Sequence, residues 1–114
     1  MALKLTPAVK KELFGLSHDL KPVVMIGQNL LTDSLIAEFN NSIDHHELIK
    51  VKMSFEGDTS AERKEIRQAI CQEILNQTTG VELIKIIGNI AVFYKPSKAR
   101  KVEEKLKLWR ASRG

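Results

Sequence analysis

From Leu48 to Phe55 the chain alternates without a break: Ile49, Val51, Met53 and Phe55 fall on one side, Lys50, Lys52 and Ser54 on the other. A period of two belongs to an extended strand and implies a sheet with one buried and one wet face. Such a sheet needs an apolar cover on its buried side. The neighbouring segments have the spacing to provide it.

Thr6-Pro7 opens a helix, a hydroxyl cap followed by proline where its missing N–H costs nothing. Val9, Leu13 and Leu16 share a face until about Ser17, and Lys21-Pro22 then starts a first strand that runs to Ile26. The second helix, capped by Thr32 or a neighbour, buries Leu35, Ile36, Phe39 and Ile43 and closes at His45-His46. After the alternating strand, Glu56-Gly57-Asp58 makes a turn, and Thr59 with Glu62 forms a capping box for a third helix. Its stripe is Ile66, Ala69, Ile70 and Ile74, and Gly80 sits just past its end. Val81–Ile87 and Ile90–Lys95 form a hairpin about a Gly88-Asn89 turn of the type II′ kind, and Pro96 stops the sheet. Ser97–Arg110 suits a fourth helix with Ala99, Val102, Leu106 and Trp109 on one side. The order helix-strand-helix-strand-helix-strand-strand predicts an α/β chain: an α+β two-layer sandwich with a four-stranded mixed sheet and its helices on one face. The expected division is one domain over residues 1–97 and a basic, helical extension over 98–114.

With 114 residues there is one core to build, and no 18-residue apolar run could span a bilayer. The opening Met1-Ala2-Leu3-Lys4-Leu5-Thr6 lacks the apolar stretch and cleavage site of a signal peptide. Cys71, the single cysteine, excludes an internal disulfide and a cysteine zinc cluster, so a cytoplasmic protein is expected. The net charge of +4 is unevenly placed. Residues 1–94 carry ten Lys/Arg against twelve Asp/Glu, whereas residues 95–114 carry eight against two. A mildly acidic body with a basic end suits a polyanion, nucleic acid being the commonest, or is simply a solvated tail.

The first strand runs into Gly27-Gln28-Asn29 and a helix start, a geometry that aims backbone N–H groups at one spot and suits phosphate. Neither G-x-x-x-x-G-K-[ST] nor G-x-G-x-x-G is present. That leaves a shorter nest for one or two phosphates of a polymer, or plain turn chemistry.

Three segments in fixed order are more specific: Leu20-Lys21-Pro22-Val23-Val24-Met25-Ile26-Gly27, then His46-Glu47-Leu48-Ile49-Lys50-Val51-Lys52, then Ile87-Gly88 through Val92-Phe93-Tyr94-Lys95-Pro96-Ser97-Lys98. Together they resemble the CRM-domain family, above all its stand-alone bacterial members of the YhbY type, over about residues 5 to 101. The resemblance implies a domain related to the C-terminal domain of initiation factor three and to KH domains. It implies RNA binding linked to assembly of the large ribosomal subunit on precursor RNA. One departure stands out. The family's loop usually reads G-x-x-G, often with an early basic residue, and here it reads Gly27-Gln28-Asn29-Leu30.

The expected RNA-binding residues are Lys21, Gly27, Gln28, Asn29, Leu30, Lys50, Lys52, Lys95, Lys98, Arg100 and Lys101. Outward strand lysines such as Lys50 and Lys52 are most often an ordinary wet face, and Tyr94 could stack on a base, although a ring held in the core with its hydroxyl at the edge is the expected state. His45 and His46 are adjacent and lack H-E-x-x-H spacing, which suits a helix terminus better than a metal. Cys71 has no histidine neighbour in sequence, and no nucleophile motif occurs, so no enzyme, cofactor or metal is expected. The terminal helix has three readings: packed on the domain, lying on RNA, or lying on a membrane. A non-catalytic, monomeric RNA binder acting on the assembling large subunit, with no membrane partner, is the leading expectation. An adaptor docking its basic helix on an acidic protein is the alternative.

Overall fold

A computed structural model describes residues 4–27, 31–54 and 60–113. In chain order these form α1 (Pro7–Ser17), β1 (Val24–Ile26), α2 (Asp33–His46), β2 (Leu48–Met53), α3 (Ser60–Gln77), β3 (Glu82–Ile87), β4 (Ile90–Tyr94) and α4 (Lys101–Arg113). The α/β class and the element order match the sequence reading. The sheet order is β1-β2-β4-β3, with β1 and β2 parallel and the other neighbours antiparallel, a mixed four-stranded sheet as expected.

Local signals account for most of the boundaries. The Thr6 hydroxyl accepts from the Val9 N–H at 3.2 Å and the Thr32 hydroxyl from the Leu35 N–H at 3.1 Å, each satisfying one orphan donor of a first turn. Gly80 (φ +74°) follows α3, and Gly88 (φ +56°) opens the hairpin turn. Both sit in the left-handed region where a Cβ is unwelcome. The expected turn at Glu56-Gly57-Asp58 and the cap at Thr59 lie outside the described residues, as does Phe55.

The placement of the helices needs correction, because they cover both faces of the sheet. On one face Val24, Ile26, Ile49, Val51, Met53, Ala91 and Phe93 meet Phe39 and Ile43 of α2 and Ile70, Cys71 and Ile74 of α3. Phe39 and Phe93 meet edge to face with ring centroids 5.1 Å apart. On the other face Leu48, Val92 and Tyr94 meet Leu13 of α1 and Val102 and Leu106 of α4. Two successive crossovers of the usual right-handed sense, progressing the same way across the sheet, put α2 and α3 together. The terminal helices are left to close the opposite side. β4 demands this, since Ile-Ala-Val-Phe-Tyr is apolar at both parities and a strand of that kind is buried on both faces. In α3, Cys71 is fully buried and Ala69 is exposed, so the stripe runs along Ile66, Ile70, Cys71 and Ile74.

Of the three readings of the terminal helix, packing on the domain is the one seen. Val102 and Leu106 are 2 % and 1 % exposed, and Trp109 lies over Gly15 of α1. A Cβ built at Gly15 would come within 2.8 Å of the indole. Only glycine admits so close a helix–helix approach there. Arg110 adds a bidentate pair to Glu12, Nε to Oε2 at 2.5 Å and Nη2 to Oε1 at 2.6 Å.

Candidate nucleic-acid interface

β2 sets the electrostatics of the second face. Its residues on that side are Leu48, buried under α1 and α4, and then Lys50 and Lys52, both half-buried. Parallel pairing places Met25 of β1 beside Lys52, and the Val23 N–H donates to the Lys50 carbonyl at 3.1 Å. Met25 is 65 % exposed and Val23 41 % exposed, so the β1–β2 side of this face stands open. The result is a small apolar strip flanked by two lysines about 6.6 Å apart along the strand. Neither lysine forms an ion pair with a described residue.

The remaining expected residues divide between the two ends of the sheet. Gly27 follows β1, where the Ser54 N–H donates to the Ile26 carbonyl at 2.8 Å and the Met53 N–H to the Asn89 carbonyl at 2.7 Å. That end therefore carries Gly27, the exit of β2 and the β3–β4 turn. Gly27 is exposed and a Cβ there would meet nothing within 4 Å. Gln28, Asn29 and Leu30, the rest of the expected loop site, lie outside the described residues. Lys21, Lys95, Lys98, Arg100 and Lys101 belong to the opposite end, roughly six residues of strand or about 20 Å away.

At that second end one residue organises the backbone. Glu47 directly follows α2, is 1 % exposed, and has φ +67°, where helix ends usually place glycine. Its carbonyl accepts from the Lys95 N–H at 2.7 Å. Oε2 accepts from the Ser97 hydroxyl at 2.7 Å and from the Lys101 N–H at 3.0 Å, and Oε1 from the Val102 N–H at 3.4 Å. Glu47 thus caps the first turn of α4 from more than fifty residues away, with its negative charge at the positive end of the helix dipole. Arg100, which precedes α4 with φ +51°, carries no side-chain acceptor for the task. Strain at Glu47 is held by the cap it makes possible.

This arrangement fixes which expected residues meet. Lys21 and Lys101, eighty positions apart, line one cleft of about 490 Å³ together with Lys105, His45 and His46. Lys98 and Arg100 are exposed on the connection into α4, outside that lining. Lys95 is committed elsewhere, its Nζ 2.6 Å from the Asp44 carboxylate. The two histidine rings pack edge to face at 4.7 Å. His46 is held below the ordinary imidazole value by burial and then by the charges of His45, Lys105 and Lys101.

Two further residues singled out by the sequence are enclosed. Tyr94 is fully buried, its hydroxyl pushed up to about 12 by burial and then by Glu103 and Glu47, so its ring belongs to the core. Burial pushes the Cys71 thiol up to about 11, which leaves it without thiolate character. Among the described residues no group of three or more His, Cys, Asp and Glu could hold a metal ion, and no helix is long and apolar enough to cross a membrane.

Residues 5–95 match the CRS1 / YhbY (CRM) domain, so the chain belongs to that family. A Haemophilus influenzae relative named "RNA-binding protein" is 43 % identical over 94 residues, covering 82 % of this chain and 88 % of its own. "Probable RNA-binding protein PA4753" of Pseudomonas aeruginosa is 36 % identical over 93 residues, covering 82 % and 83 %. The solution structure of protein SAV1595 from Staphylococcus aureus superposes with a TM-score of 0.63 at 27 % identity, over 87 % of this chain and 96 % of that one. The family match stops before α4, whereas the residue that caps α4 lies inside it.

Proposed function

We propose that this protein is a non-catalytic RNA-binding protein that acts as a monomer in the cytoplasm on precursor RNA of the large ribosomal subunit. The observation that carries the reading is the open β1–β2 face, where Lys50 and Lys52 flank exposed Val23 and Met25 with no described carboxylate paired to them. Lysines in that setting neutralise phosphates while the apolar strip accepts a sugar or base edge. We assign Gly27 at one end of the sheet, and Lys21, Lys98, Arg100 and Lys101 at the other, to the same RNA contact. Family membership and the names of the relatives support RNA as the polyanion. The large-subunit assignment rests on the CRM resemblance alone.

Binding of a structured ribosomal RNA fragment, followed by fluorescence anisotropy across a salt series, tests the RNA reading. Phosphate neutralisation by three or four lysines predicts a log–log salt slope of about −2 to −4. A flat slope, or no binding at low salt, overturns it. Crosslinking in cells followed by sequencing tests the ribosomal assignment: enrichment of large-subunit precursor RNA is expected, and enrichment of unrelated RNA classes would remove it.

A further inference from the structure

The cleft between the end of α1, the end of α2 and the start of α4 has two kinds of wall. Leu16, Leu20, Val23, Leu48 and Val102 give it an aliphatic interior. Its polar lining is Lys21 from the α1–β1 connection, His45 and His46 from α2, and Lys101 and Lys105 from α4, against the single carboxylate of Asp19. Lys21, Lys101 and Lys105 form no ion pair with a described residue. At about 490 Å³ it falls inside the range of roughly 300–1,000 Å³ typical of small-molecule sites. His46 faces the same space, its value lowered first by burial and then by His45, Lys105 and Lys101. An apolar slot with a cationic rim matches a ligand that joins a flat, poorly solvated ring to an anion.

We infer that this cleft takes one nucleotide unit of the bound RNA, its base in the aliphatic slot and its phosphate among Lys21, Lys101, Lys105 and His46. Continuity favours RNA over an acidic peptide. Val23 is shared between the cleft and the open β1–β2 face, and its N–H is bonded to the Lys50 carbonyl. A strand tracking along Lys52 and Lys50 therefore arrives at the mouth of the cleft. The site lies at the opposite end of β1 from Gly27, and α4, which supplies Lys101, Val102 and Lys105, lies beyond the family match. Glu47 presets it by holding the first turn of α4 in place. The inference rests on the RNA-binding reading above and adds a base-binding pocket to it.

The probes are adenosine and uridine 5′-monophosphate, ribose 5-phosphate, inorganic phosphate and a short oligoglutamate peptide, titrated by NMR into the full chain. The nucleotides are expected to shift the methyl groups of Leu20, Val23 and Val102 and to raise the midpoint of His46, because a phosphate favours the imidazolium. Asp19, Lys21, His45, Lys101 and Lys105 face the same space and are followed in the same titration. Ribose 5-phosphate and inorganic phosphate should bind at least ten-fold more weakly. Lys101→Ala with Lys105→Ala should weaken nucleotide binding at least ten-fold. Val23→Trp, at an exposed position, should block the slot while leaving the melt unchanged. Equal binding of phosphate and nucleotide would overturn the base pocket, as would shifts confined to the Gly27 end or preferential binding of oligoglutamate. RNA affinity of the unaltered chain is measured beside these. Intact RNA binding with no nucleotide in the cleft removes this inference alone, whereas loss of RNA binding itself removes the proposed function.

Discussion

The two faces of the sheet differ in how completely they are used. Under α2 and α3 every inward strand position is apolar, from Val24 and Ile26 through Ile49, Val51 and Met53 to Ala91 and Phe93. Under α1 and α4 the apolar cover extends only over Leu48, Val92, Tyr94 and part of β3, and Lys50, Lys52 and Met25 are left beyond its edge. The first face supplies stability, while the second divides its area between a smaller core and an open strip. The change happens within one strand: β2 passes from Leu48 to Lys50 on the same side in two residues. A short strand can thus serve as core and as surface when the covering helices stop partway across it.

The largest expected effect comes from removing the second cover. Ending the chain after Ser97 deletes Val102 and Leu106 and uncovers Leu13, Leu48, Val92 and Tyr94. Burial of the two deleted side chains alone is worth about 3–6 kcal/mol, a large part of a small domain's stability. The shortened chain should lose its cooperative melt by circular dichroism. A sharp melt near that of the full chain would mean that the second face carries no core.

Glu47→Ala comes next. It leaves the Ser97 hydroxyl and the Lys101 and Val102 N–H groups without their acceptor and should cost about 2–4 kcal/mol in urea unfolding. Glu47→Gly removes the same acceptor but relaxes the φ of +67°, so it should be less damaging by about 1 kcal/mol. If the two variants are equally stable, backbone strain at this position is negligible. If neither loses stability, the remote cap is not what holds α4.

Much of the molecule is legible in the sequence. Thr6, Thr32, Gly80 and Gly88 mark their boundaries by local chemistry, and the alternation of β2 identifies both its core side and its lysines. The second covered face is also signalled, by the uninterrupted apolar run of β4, but the strict alternation of β2 suggests a single cover. The cap at Glu47 has no local signature, because its acceptors serve donors more than fifty positions later. Lys105 and His46 are hidden for the same reason. They meet Lys21 only because α1, α2 and α4 converge at one end of the sheet.

A smaller effect probes the close approach of Trp109 to Gly15 between the two helices of the second face. Gly15→Ala gains helix propensity worth about 1 kcal/mol but puts a methyl 2.8 Å from the Trp109 ring. The indole must shift, and overpacking of this kind typically costs about 1–3 kcal/mol. The net loss should be about 1 kcal/mol by thermal melt, with a change in tryptophan fluorescence. Gly15→Ala combined with Trp109→Phe should recover part of it, since the smaller ring leaves room for the methyl. A stabilised single variant would show that α1 and α4 have slack between them.

The smallest effect on stability, and the one that separates the two uses of the second face most directly, is Lys50→Glu with Lys52→Glu. Both side chains lie at the edge of the cover, so the melt should stay within about 1 kcal/mol of the unaltered chain. RNA affinity should nonetheless fall for every sequence tried, because lysines bound to phosphate position a strand without reading its bases. The salt slope should flatten by about 0.7–0.9 for each phosphate that is no longer neutralised. Charge reversal also repels the polymer, so Lys50→Gln with Lys52→Gln is the control for removal of the positive charge alone. It should weaken binding less while flattening the slope by the same amount. Unchanged affinity in both folded double variants would assign these lysines to plain solvation of an exposed strand. The open half of the second face would then be a surface without a partner, and the lysines of α4 would have to carry RNA binding by themselves.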